Sequence, residues 1–342
     1  MTTSGTDVAK PAIAPITWAP PKAPRPTGRW APNTRLAGLQ LIHVPGAGPE
    51  DVAILPDGDP VVGLDDGRIC RLSPDGRRTE VVADTGGRPL GIEVRDDGRL
   101  YVCDAHRGLL LVDPATGEVE VLVRDVEGQP LRFTNNAAIH PDGSVLFSDS
   151  SQRFGLPHFK ADLLEHSCTG RLLRWRDGEV EVLLGGLAFA NGVALTHDGD
   201  AVLVAETAGY RITRYWLAGE RAGTSEVVID NLPGFPDNLS TGPGGTVWIA
   251  MPSTRDATLD ALLPRPPALR RAVWALPDKL QPQASRNTFV IGIDADGTVT
   301  HNLQGPGDRF HYVTGVREHD GHLYLGSLVE GAIARHRLPG AG

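Results

Sequence analysis

Phe133-Thr134-Asn135-Asn136-Ala137-Ala138-Ile139-His140-Pro141-Asp142-Gly143 returns almost unchanged as Phe189-Ala190-Asn191-Gly192-Val193-Ala194-Leu195-Thr196-His197-Asp198-Gly199. Each stretch carries a carboxamide seven residues ahead of an Asp-Gly turn. The same measure applied outward finds turns at Asp57-Gly58, Asp97-Gly98, Gly244-Gly245 and Asp320-Gly321. The residues seven places ahead of them are Glu50, Leu90, Asp237 and Val313. Around three of the turns the following run is apolar and ends in a small or acidic residue, as in Val145-Leu146-Phe147-Ser148-Asp149. Apolar runs on either side of an Asp-Gly pair are the signature of β-hairpins.

Between hairpins lie further strand pairs, such as Gly67-Arg68-Ile69-Cys70-Arg71-Leu72 turning at Pro74-Asp75-Gly76 into Thr79-Glu80-Val81-Val82. Four strands per unit result. The turns are separated by 40, 45, 56, 46 and 76 residues, close to the blade period of a β-propeller once insertions are allowed for. The expected fold is an all-β, six-bladed propeller with a central metal site. The sixth unit has about three strands before the chain runs out, and the apolar run at residues 36–44 has no hairpin partner of its own. Pairing the two closes the ring and leaves no long sheet edge. The chain thus divides into a Pro-rich extension, residues 1–34, expected to lie extended over a surface or stay mobile, and one propeller domain, residues 35–340. Insertions at 152–169 and 253–286 are expected to form a lid. The second contains two amphipathic, helix-like runs around Leu259-Asp260-Ala261-Leu262-Leu263 and Ala268–Trp274.

Composition narrows the function. With 342 residues and 40% hydrophobic content, the chain can bury a large core. Its net charge of −9 disfavours a nucleic-acid partner, which requires a basic face, and suits a cation site. Three cysteines, Cys70, Cys103 and Cys168, are too few for a disulfide framework and are expected to be reduced and structural. No apolar run approaches the roughly 20 residues of a membrane span, and the N-terminus lacks the pattern of a signal peptide. A cytoplasmic location is expected. There is no Gly-x-Ser-x-Gly elbow, Walker loop or dinucleotide fingerprint, so serine-hydrolase and nucleotide chemistry find no support.

The first strand of each blade lines a propeller's channel, so one register position forms a ring about the axis. That ring reads Glu50, Leu90, Asn135, Asn191, Asp237 and Val313. Two carboxylates and two carboxamides, with no His or Cys, make a hard all-oxygen site suited to Ca²⁺, with other divalent cations as alternatives. A single Asn at a strand start is usually a turn residue, but four polar groups in one register would be costly without a partner. Asn238 and Asn136, one residue on, would supply a further ligand or support. Asp51 with Asn136 is a weaker candidate for a second cation. His106 reaches the channel mouth or packs at the surface.

These residues resemble a known group: the strictosidine synthase-like branch of the superfamily that includes the gluconolactonase/regucalcin proteins and the paraoxonases. The resemblance rests on Gly48-Pro49-Glu50, Gly87-Arg88-Pro89-Leu90-Gly91-Ile92, Phe189-Ala190-Asn191-Gly192-Val193, Val204-Ala205-Glu206-Thr207, Leu232-Pro233-Gly234-Phe235-Pro236-Asp237-Asn238 and Glu318-His319-Asp320-Gly321-His322-Leu323-Tyr324-Leu325-Gly326-Ser327. It implies an axial Ca²⁺ on Glu50, Asn135, Asn191 and Asp237, with Asn238 as a further ligand, and hydrolysis of lactones and aryl esters. Leu90 and Pro252 stand where paraoxonases use histidines, and Thr314 stands where plant strictosidine synthases use a glutamate.

The expected activity is therefore calcium-dependent hydrolysis of a small, hydrophobic lactone or ester, with Asp237, then Glu50, as base for the attacking water. Phe154, Phe159, Leu262, Leu263 and Trp274 are expected to wall the pocket. The alternatives are a condensing or cyclising enzyme on the same scaffold and a metal-binding propeller without catalysis.

Overall fold

A computed structural model describes residues 9–339; the first eight residues of the extension and residue 340 of the propeller span lie outside them. Six antiparallel four-stranded sheets follow one another around a ring. Five take their strands from consecutive sequence: blade 1 from Ala53–Ile54 to Thr79–Asp84, blade 2 from Pro89–Val94 to Glu118–Val123, blade 3 from Thr134–Ile139 to Glu179–Leu187, blade 4 from Ala190–Leu195 to Ser225–Ile229, and blade 5 from Leu239–Thr241 to Val299–Gly305. Blade 6 takes Val313–His319, His322–Ser327 and Ala332–Arg337 from the C-terminal end and Gln40–His43 from the N-terminal end. The glycine in each of the six measuring turns has positive φ, from 67° at Gly321 to 90° at Gly58, the conformation such tight turns demand.

The strand expected at residues 36–44 pairs over Gln40–His43 alone, with Ile42 opposite Ile333. It is shorter because the Leu36 N–H is taken by Gln304 O of blade 5 at 2.8 Å, so the chain crosses from one blade edge to the next before it enters the sheet. Faces of adjacent blades pack on each other. Ile42, Val62, Leu72, Tyr324 and Ile333 fill the seam that closes the ring. Blades 1 and 2 meet through Val61, Ile69, Ile92 and Val102, and blades 3 and 4 through Leu146, Leu172, Val193 and Val204.

Both insertions form helices on the channel mouth: α1 (Phe159–Glu165), α2 (Ala257–Leu262) and α3 (Pro267–Ala275). They share an apolar core of Phe154, Leu164, Leu259, Leu263 and Trp274 with Ile13 and Trp18 of the extension. The extension is thus a strap across the lid. Ile16 N donates to Glu165 O at 2.8 Å, Trp18 N to Leu263 O at 3.2 Å, and Trp274 Nε1 to Pro11 O at 2.7 Å. The Arg270 guanidinium, fully buried, donates to Ile16 O at 2.9 Å and Leu164 O at 3.1 Å, joining strap, α1 and α3. Trp18 stacks on His166 with ring centroids 4.1 Å apart and planes 7° from parallel.

Closure should be expensive to weaken. Replacing the buried Ile42 by Ala should lower unfolding free energy in urea by about 2–5 kcal/mol, whereas the same change at the exposed Val81 should stay within about 0.5 kcal/mol. Equal, small losses at both would deny the seam a role in stability.

The strap should respond to acid. Burial lowers the His166 imidazole from 6.5 to about 4, so the folded protein holds it neutral while the unfolded chain protonates it first. Its contribution is present above pH 6.5 and is lost as pH falls from 6.5 towards 4, up to about 3 kcal/mol in all. His166→Gln should flatten that part of the stability curve; an unchanged curve would contradict the assignment.

Candidate functional site

Register shifts recur where the inner strands reach the channel. They fall between Pro89 and Ile92, Thr134 and Ala137, Ala190 and Val193, and Val313 and Gly315. Each is a bulge that turns side chains out of the ladder, a device common beside functional sites. In blades 2, 3 and 4 two successive residues are affected and in blade 6 Thr314 alone, while in blades 1 and 5 the corresponding pairs, Glu50-Asp51 and Asp237-Asn238, lie just ahead of the strand. The first set is the expected ring, of which Glu50, Leu90, Asn135, Asn191 and Asp237 line one pocket of about 130 Å³, while Val313 is buried between blades 5 and 6.

The second set is Asp51, Gly91, Asn136, Gly192, Asn238 and Thr314, and it ties blades together. Asp51 accepts from Ile92 N at 3.3 Å, Asn136 Oδ1 accepts from Val193 N at 2.8 Å, and the Thr314 hydroxyl donates to Glu50 O at 2.7 Å. Glycine is required at two of these places. A Cβ at Gly91 would lie 2.7 Å from Asn136 Cα, and one at Gly192 would lie 2.3 Å from Leu239 N. Asn136 Nδ2 also reaches Asp51 Oδ2 at 3.4 Å.

At Asp51 and Asn136, the weaker candidates for a second cation, the oxygens are engaged in hydrogen bonds between blades. The positive charge beside Asp51 is Arg317, whose guanidinium pairs with Glu93 at 2.6 Å. Burial still pushes the Asp51 carboxyl up to about 6, with Arg317 opposing.

In the ring, the amide orientations follow from their partners. Asn191 Nδ2 donates to Thr207 Oγ1 at 3.1 Å, and that hydroxyl spends its proton on Pro236 O at 2.7 Å. Asn191 Oδ1 must therefore face away from Thr207. Asn238 Nδ2 donates to both Glu50 oxygens, at 3.0 and 3.1 Å, and Asn135 Nδ2 to Ser150 Oγ at 3.0 Å. The result is three buried carboxamide oxygens, those of Asn135, Asn191 and Asn238, without a hydrogen-bond partner. An unpaired buried acceptor costs about 1–3 kcal/mol, so three at one point call for a ligand. Burial and the neighbouring carboxylates Asp237 and Asp51 raise Glu50 well above its usual range, and burial pushes Asp237 up to about 8. The place disfavours bare negative charge.

Among the described residues, no group of three or more His, Cys, Asp or Glu side chains is placed to hold a metal ion. The ring offers two carboxylates, and its other oxygens are amides. That donor set fits a cation that takes carboxylate and carbonyl oxygens together.

Above the ring the walls are apolar: Leu90, Phe133, Phe189, Leu156, Phe159 and Leu328. Phe133 and Phe189 meet edge to face at 5.5 Å. Of the expected lid wall, Phe159 lines the pocket, while Phe154, Leu263 and Trp274 face the lid's own core with the strap. Phe235, Leu163, Leu164 and Leu259 line the pocket instead. His106 is exposed; its backbone N–H donates to Asp104. The three cysteines are free, with Cys70 and Cys103 buried in strands.

Tyr312 was not singled out by the sequence. It lines the pocket, has φ 55°, and its hydroxyl makes no hydrogen bond among the described residues. A bulky residue in the left-handed region costs about 1–3 kcal/mol. Burial, with Asp237 nearby, raises its phenol above the usual range, so it remains protonated. Its position immediately before Val313, the sixth ring position, is the one signal in the sequence.

Comparison with known proteins places this geometry in context. The strictosidine synthase family model matches residues 135–220, and that of the strictosidine synthase-like N-terminal region matches residues 28–72. The adipocyte plasma membrane-associated protein of Danio rerio is 35% identical over 348 residues, covering 94% of this chain and 83% of the relative. The human protein of that name is 34% identical, covering 90% and 79%. Protein strictosidine synthase-like 10 of Arabidopsis thaliana is 36% identical, covering 85% of each. Among solved structures, a gluconolactonase from Xanthomonas campestris superposes with a TM-score of 0.65 at 18% identity, covering 97% of this chain and 99% of that one. A calcium-binding regucalcin from Agrobacterium tumefaciens gives 0.61 at 17%, covering 86% and 90%; at such identities these two speak for the fold. No helix among the described residues is long and apolar enough to cross a membrane. The chain belongs to the strictosidine synthase-like family.

Proposed function

We propose that this protein is a calcium-dependent hydrolase of small, hydrophobic lactones or aryl esters. The observation that carries the reading is the set of unpartnered carboxamide oxygens of Asn135 and Asn191 in an apolar pocket with Glu50 and Asp237, joined by that of Asn238, whose amide nitrogen holds Glu50. Glu50, Asn135, Asn191 and Asp237 would hold the cation, and Asn238 would aim Glu50 and lend its own oxygen. When bound, Ca²⁺ would supply Lewis-acid polarisation of the scissile carbonyl.

The chain's own groups do the rest. Leu90, Phe133 and Phe189 receive the apolar body of the substrate and keep bulk water from the carbonyl. Asp237 takes the proton of the attacking water. Glu50, both of whose oxygens accept from Asn238, chiefly anchors charge. The gluconolactonase named among the structural neighbours supports a lactone substrate class.

A condensing enzyme is the second reading, favoured by the family model's description. Thr314, at the place of the synthase glutamate, has its hydroxyl committed to Glu50 O and offers no base for that reaction.

Chelation should abolish hydrolysis of phenyl acetate and a small lactone panel, and added Ca²⁺ should restore it. Asp237→Asn should lower kcat by about 10²–10³-fold at saturating metal, more than its loss of metal affinity explains; Glu50→Gln should mainly raise the calcium needed for half-activity. At a hundredfold excess over Kd, calcium should stabilise the wild type by about 2.7 kcal/mol and either variant much less. Full activity in metal-free protein, or condensation of an amine with an aldehyde while every ester and lactone fails, would overturn the assignment.

A further inference from the structure

Resting on the hydrolase reading, we infer that Tyr312 is a catalytic residue that protonates the leaving oxygen of the substrate. Three observations place it there. It lines the same pocket as Asn135, Asn191 and Asp237, its hydroxyl has no hydrogen-bond partner among the described residues, and its backbone is held at φ 55° at the entry to the first strand of blade 6. Strain at a bulky residue persists only where the surroundings over-determine it, and such positions gather at active sites. The backbone here is fixed from both sides. Ser327 Oγ donates to His311 O at 2.9 Å, and Glu330 accepts from the His311 N–H at 3.2 Å as well as pairing with its ring, while Val313 is fully buried.

The chemistry left undone by the ring is the departure of the alcohol. Water oxygen adds to the carbonyl carbon and gives one proton to the Asp237 carboxylate. The bond from that carbon to the ester oxygen then breaks, its electron pair goes to the leaving oxygen, and that oxygen takes the phenolic proton of Tyr312. Proton return from Asp237 to the phenolate restores both groups, so the sum is ester plus water giving acid plus alcohol. The Tyr312 hydroxyl, free of partners among the described residues in the pocket that Asp237 also lines, is available to a leaving oxygen, as a donor of this kind requires.

The test is Tyr312→Phe assayed on leaving groups of different basicity. Alkyl esters and lactones, whose alkoxides need a proton, should lose about a hundredfold in kcat with KM changed less than about twofold. A p-nitrophenyl ester, whose phenolate leaves unaided, should lose less than about threefold. The calcium-dependent rise in melting temperature should match wild type, which separates this role from metal binding. An equal loss on both substrate classes, or no loss on either, would overturn the inference while leaving the hydrolase reading in place. Wild-type protein inert towards the whole ester and lactone panel would overturn both.

Discussion

Hydrogen bonds between neighbouring blades at the channel end of the inner strands are the constraint on which the site depends. A sheet positions its side chains to face one side or the other, and six independent sheets would not bring their first residues to one point. Here Asp51 reaches the backbone of blade 2, Asn136 reaches blade 4, and Thr314 holds the carbonyl of Glu50. Glycines at 91 and 192 let those neighbours approach. The bulges lie at the same places, and those of blades 2, 3 and 4 hold the ring residues Leu90, Asn135 and Asn191. Ring closure by Gln40–His43 extends the same constraint to the last pair of blades, because Glu50 on blade 1 and Thr314 on blade 6 meet across the seam.

The lid obeys different physics. Its core is small, and it is tied together through backbone carbonyls that accept from Arg270, Trp274 and the strap. Most of those bonds involve residues 11–18, more than 100 positions away in sequence from α1 and more than 200 from α3, so the lid joins three distant segments of the chain. The cores between blades 1 and 2, between blades 3 and 4, and at the closing seam do not include it, whereas the pocket wall does: Leu156, Phe159 and Leu163 of the first insertion pack on Leu90, Phe133 and Phe189. The lid thus meets the ring at the pocket wall, and away from it the ring is held by contacts of its own.

The repeat made the ring legible, because the length from channel to turn is the same in every blade and an Asp-Gly pair, or Gly244-Gly245 in blade 5, marks its end. Counting seven residues back reached Glu50, Asn135, Asn191 and Asp237, and an incomplete sixth unit pointed to residues 36–44 as its missing strand. The bulges were hidden, since they depend on contacts between blades rather than on any local pattern. Without them Asp51 and Asn136 read as spare ligands, and the Arg317–Glu93 pair that neutralises the region was out of view, 224 residues apart in sequence. A Pro-rich composition announced an extended segment but not the helices it covers. Tyr312 escaped because its importance lies in a backbone angle and an unanswered hydroxyl, neither of which a residue type announces.

The central claim is that the ring's unpaired oxygens exist to surround a cation. A crystal of the protein grown with Ca²⁺, measured at a wavelength where calcium scatters anomalously, examines it most directly. The account predicts a single strong anomalous peak on the channel axis, with oxygens of Glu50, Asn135, Asn191 and Asp237 at about 2.3–2.6 Å. A peak confined to surface carboxylates, with the amide oxygens of Asn135, Asn191 and Asn238 turned to protein donors instead, would contradict it.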